Sequence, residues 1–127
     1  MKKFILLLIF ILTPLFSYST KVTGAYAIAI FDEKGNGENV QHVRKTEADY
    51  NGTCYTKVYI IGNSFNLKPV VKIGNSIGHY QSSRPIYGKV RKIKIGEVMT
   101  FKHYAVTKGH IYVSFKGKLY DRKVFVK

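Results

Sequence analysis

Short apolar runs broken at regular intervals by glycine and asparagine turns constrain this chain more than any other feature. After residue 19 no window carries a convincing stripe of period 3.6, whereas Val, Ile, Tyr and Phe recur in segments of strand length. The pattern predicts an all-β fold, a small antiparallel barrel or sandwich. Strands are expected at Val22 to Phe31, Asn39 to Thr46, Cys54 to Ile61, Lys68 to Ile73, Val90 to Ile95, Glu97 to Val106, Ile111 to Phe115 and Lys118 to Val126. Turn signals separate them: Lys34-Gly35-Asn36-Gly37, Asn51-Gly52, Gly62-Asn63, Gly74-Asn75, Lys108-Gly109 and Lys116-Gly117. Ile-Gly-Asn-Ser occurs at 61–64 and again at 73–76. Two copies are too few for a solenoid, and reuse of one turn type explains them.

The chain opens differently. Lys2 and Lys3 precede an unbroken apolar run from Phe4 to Leu12, and Ser17 and Ser19 place small residues where a signal peptidase reads. The run is shorter than the roughly 20 residues a spanning helix needs. Residues 1–19 are therefore expected to be a signal peptide, cleaved before Thr20, and the protein to be exported, periplasmic or secreted. The remaining 20–127 reads as one domain with no flexible linker.

Removing 1–19 leaves 19 basic and 7 acidic side chains, a net charge of +12. Residues 50–127 hold fifteen of those bases and only two acids, Glu97 and Asp121. A field of that sign attracts an anionic partner such as peptidoglycan carboxylate, envelope phosphate, phospholipid, nucleic acid or an acidic protein. Cys54 is the one cysteine, so it has no internal disulfide partner and is either buried or paired with another molecule.

The stretch 101–115 can be read residue by residue. As a hairpin with a three-residue loop at Thr107-Lys108-Gly109 and Gly109 left-handed, it sets Val106 opposite His110, Tyr104 opposite Tyr112 and Phe101 opposite Phe115. Alternation then turns Phe101, His103, Ala105, Ile111, Val113 and Phe115 inward, and Lys102, Tyr104, His110, Tyr112 and Ser114 outward. A loop at Lys116 to Lys118 adds Tyr120 and Arg122 to the outer side, with a bulge expected near Asp121 to Lys123. The outcome is a stripe of tyrosines with Lys102, His110 and Arg122 between the rings.

The segment Lys94-Ile95-Gly96-Glu97 through Lys108-Gly109-His110-Ile111-Tyr112-Val113-Ser114-Phe115-Lys116-Gly117 to Arg122 resembles the C-terminal part of bacterial Src-homology-3-like cell-wall-targeting modules of the lysostaphin type. The resemblance applies within residues 74–127, leaving 20–73 as N-terminal strands of unassigned type. It implies a non-enzymatic groove lined by Tyr104, Tyr112 and Phe115 or its neighbours that holds a peptidoglycan stem or cross-bridge; the alternation excludes Phe115. The candidate ligand-binding set is thus Lys102, Tyr104, His110, Tyr112, Tyr120 and Arg122.

Catalytic patterns are sparse. His42, His79, His103 and His110 have no metal-ligand spacing, and the lone cysteine has no clustered partner. No cofactor or metal is implied. Paired-carboxylate hydrolysis would have only Glu97 and Asp121 to use after residue 50. Three functions stay open: an exported module binding peptidoglycan or another anionic envelope polymer, a secreted or periplasmic inhibitor or immunity-type protein covering an acidic partner, and a small basic nuclease using His110, Lys102 and Arg122.

Overall fold

The computed structural model describes residues 21–89 and 93–127; the expected signal peptide, its cleavage site, and Val90 to Lys92 of one expected strand lie outside them. Nine strands follow in order: β1 (Lys21–Asp32), β2 (Gly37–Asn39), β3 (Gly52–Asn63), β4 (Val70–Ile73), β5 (Ser76–Tyr87), β6 (Lys94–Val106), β7 (Gly109–Phe115), β8 (Lys118–Asp121) and β9 (Phe125–Val126). All pair antiparallel in the spatial order β2-β1-β3-β6-β5-β4-β7-β8, with β9 against β7. The all-β reading of the sequence therefore holds. The sheet curls into a half-barrel. Its first and last parts meet where the Ala27 N–H donates to Asp121 Oδ2 at 3.0 Å and the Tyr120 hydroxyl donates to Val22 O at 3.3 Å.

Alternation builds the core. Along β3, Cys54, Thr56, Val58 and Ile60 are buried while Tyr55, Lys57 and Tyr59 face outward, and β6 and β7 bury Met99, Phe101, His103, Ile111, Val113 and Phe115. Cys54 is free and fully buried, and burial pushes its thiol up to about 12. A thiol so placed is a packed core group and a poor nucleophile.

Five expectations are corrected. The strand expected at Asn39 to Thr46 ends at Asn39, because local side chains capture the backbone that a ladder would need. Glu38 accepts the Glu47 and Ala48 N–H groups and the Tyr50 hydroxyl, and Asn39 Oδ1 accepts the Gln41 N–H. Between residues 73 and 90, where no strand was expected, runs the twelve-residue β5. The strand break expected at Gly96 is absent: β6 passes straight through, paired there with Ile61 and Ile86, and the glycine serves close packing, because a Cβ would sit 2.3 Å from Ile60 O and 2.6 Å from the Tyr59 ring.

The fourth correction bears on the site. β6 and β7 are not partners, because the β4–β5 hairpin lies between them in the sheet. Tyr112 stands opposite Lys72, Phe101 opposite Thr56 and Tyr80, and Phe115 opposite Lys118. Ala105, with φ at 51°, turns outward and bends the end of β6, while Gly109 is not left-handed. Glycine is needed there for contact: a Cβ on Gly109 would lie 2.7 Å from Gly74 Cα. In place of the bulge expected near Asp121 to Lys123, the strand expected at Lys118 to Val126 breaks into β8 and β9, which leaves Leu119 exposed with Val124 and Val126 buried; the register shift against β7 falls at Tyr120.

Candidate functional site

The outer face of β1-β3-β6-β5 gathers aromatic rings and cations by cross-strand register. Phe31 pairs with Tyr55, Tyr55 with Lys102 and Lys102 with His79, one residue from each strand. The Phe31 and Tyr55 rings stack, 5.1 Å between centroids and 7° between planes. Lys102 Nζ lies 5.6 Å from the Tyr55 ring centroid and 5.1 Å from that of Tyr104, and the His79 and Tyr104 rings meet edge to face at 5.5 Å. Lys57 adds a second cation, 5.7 Å from the Phe31 ring. Hydrogen bonding to Tyr55, followed by the electrostatic influence of Tyr104 and Tyr55, raises the pKa of Lys102, so its ammonium persists through the whole range of ordinary pH.

Acidic side chains reach this face at its β1 edge, where Glu38 lines one groove with Phe31 and Lys57. Five of the seven carboxylates lie between residues 32 and 49. Glu97 and Asp121 are each only 8% exposed, the first ion-paired with Lys94 and the second closing the barrel seam. Rings that are exposed, as in Tyr104 and His79, or half-buried, as in Phe31 and Tyr55, and that have cations beside them on an open sheet can lie against sugars or peptide planes and answer carboxylates or phosphates at their edges.

Of the six residues marked in the sequence, only Lys102 and Tyr104 belong to this patch. Tyr112 lies on β7, three strand spacings from β6 and so about 14 Å away along the sheet. The two tyrosines flank the Gly74-Asn75 turn, each lining a shallow groove beside it. His110 is next to Arg122 through Nδ1, which donates to Arg122 O at 3.0 Å, and its ring packs edge to face on Phe125 at 5.2 Å. Tyr120 is half-buried at the seam, with Lys118 Nζ 4.9 Å from its ring centroid. The trio His110, Arg122 and Lys102 is split by the same two intervening strands.

Phe31, Tyr55, Lys57 and His79 escaped the sequence reading. Alternation within Cys54 to Ile61 already turns Tyr55 and Lys57 outward, so that signal was present; His79 had none, because its strand was not recognised. His103 is a core group: Nδ1–H donates to Ser76 O at 3.1 Å, and Nε2 accepts from the Thr56 hydroxyl at 2.8 Å. Among the described residues no three His, Cys, Asp or Glu side chains converge to hold a metal ion. Compared with known protein families, with curated proteins and with solved structures, the chain matches none.

Proposed function

We propose that this chain is an exported, non-enzymatic module that binds peptidoglycan or another anionic envelope polymer through the outer face of β1-β3-β6-β5. One observation carries the reading: Lys102 is bracketed by the exposed Tyr104 and by Tyr55 on an open face, with the acidic side chains of its half of the chain buried. An extended polymer suits a flat, open patch of rings and cations, whereas a small substrate favours an enclosed site. The resemblance of 94–122 to cell-wall-targeting modules points to peptidoglycan among such polymers. Tyr112 and Lys72, beyond the Gly74-Asn75 turn, would extend the contact.

Co-sedimentation with purified sacculi, run beside a nuclease gel, tests this. The protein should pellet with sacculi and leave nucleic acid intact. Cleavage of nucleic acid would favour a nuclease, and failure to pellet would leave the acidic-protein partner as the better account.

A further inference from the structure

The barrel end where β3 and β5 stop and β6 begins carries apolar side chains that the fold does not use. Ile61, Phe65, Leu67, Tyr87, Ile93 and Ile95 are 36% to 58% exposed. Register brings them to one end, since Ile61 and Ile86 both stand opposite Gly96, and Tyr87 stands opposite Lys94. The Gly88 N–H donates to Ile93 O at 2.8 Å, holding Ile93 beside the end of β5. Phe65 and Leu67 lie in the loop that leaves β3 at this same end.

Phe65 is placed there against its own preference. It and Asn66 have φ of 49° and 68°, and the Leu67 N–H donates to Ser64 O at 3.1 Å, which together make a type I′ turn. Such turns take Gly, Asn or Asp at these positions, and a bulky ring at positive φ is a genuine outlier. Strain of this kind concentrates at functional surfaces.

Cations flank the apolar residues. Lys21, opposite Asn63, and Lys89, next to Gly88, stand at this end, where the Glu97 carboxylate is nearly buried and paired with Lys94; Lys68 Nζ is turned back over the Tyr80 ring, 4.6 Å from its centroid. A second copy would bring like-charged collars together, whereas an anionic bilayer complements both features. We propose that this end is a docking tip for an anionic lipid bilayer, with Phe65, Leu67, Tyr87 and Ile93 seated at headgroup depth and the lysines on lipid phosphates. The tip is separate from the polymer-binding face: Gly96 and Lys102 are six residues apart, about 20 Å along β6.

Vesicle flotation tests the tip, using the protein as isolated from cells with its N-terminus read by mass spectrometry. Vesicles of phosphatidylcholine with about a third phosphatidylglycerol, at about 0.1 M salt, should carry the parent upward, and phosphatidylcholine alone should not. The double variant Phe65→Asn, Ile93→Ser should lose at least about tenfold in partitioning. It should keep its strand spectrum, because Asn suits the turn, and it should pellet with sacculi like the parent. Tyr55→Ser with Tyr104→Ser should float like the parent. Absence of parental flotation, or equal flotation of the tip variant, would overturn the proposal. So would loss of flotation in the tyrosine variant alone, or a parental dimer that the tip variant dissociates.

Discussion

Between pH 6.5 and about 4 the folded domain should lose about 3 kcal/mol of stability through His103 alone. Burial is the main cause, pulling the imidazole from 6.5 down to about 4; the bond to Ser76 O opposes the shift and His79 adds to it. As pH falls, the unfolded chain takes up its proton near 6.5 while the folded chain resists until near 4. Proton uptake therefore favours unfolding throughout that window. Above 6.5 the stabilisation is complete, and below 4 it is gone. Glu38 adds a separate loss at lower pH: burial raises its carboxyl, yet bonds from Glu47, Ala48 and Tyr50 outweigh burial and leave it below its ordinary value. Urea midpoints measured from pH 8 to 4 would show the fall, and His103→Gln should flatten the part between 6.5 and 4. Gln can still bond Thr56 and Ser76, so the variant should fold.

Asp121→Ala should cost about 2 to 3 kcal/mol, because it leaves a buried backbone donor without a partner. Asp121 Oδ2 accepts the Ala27 N–H at 3.0 Å across the barrel seam, and Oδ1 accepts the Lys123 N–H at 3.2 Å, fixing the chain between β8 and β9. Asp121→Asn keeps one acceptor and should cost less than half as much. Thermal or urea unfolding of the two variants measures the difference. Equal loss in both would mean that carboxylate charge, rather than the acceptor at the seam, holds β8 to β1.

Much of the fold was legible because alternation in a half-buried strand depends on the strand alone. Cys54, Thr56, Val58 and Ile60 against Tyr55, Lys57 and Tyr59 state both faces of β3 without reference to its neighbours. The same property explains why the β6–β7 pairing misled: Tyr104 and Tyr112 face outward whether or not they are partners. Alternation identifies a face and is silent about which strand lies beside it. β5 was invisible for a different reason. Its residues from His79 to Pro85 are all exposed, and they carry Ser, Gln, Arg and Pro rather than an apolar face. With β5 missing, the β4–β5 hairpin could not be inserted between β6 and β7. His79 was lost from the candidate site with it.

The central claim is that rings and cations together on the outer face of β1-β3-β6-β5 hold an anionic polymer. Its most direct test is retention on sacculi at about 0.3 M salt, where the general surface field is mostly screened and contact terms remain. Tyr55→Ser with Tyr104→Ser removes the rings that bracket Lys102 and keeps every charge. Loss of the Phe31–Tyr55 stack should cost on the order of 1 kcal/mol of stability, leaving the domain folded. The account predicts that the parent pellets with sacculi at this salt and the double variant stays in solution. A double variant that pellets like the parent would contradict it.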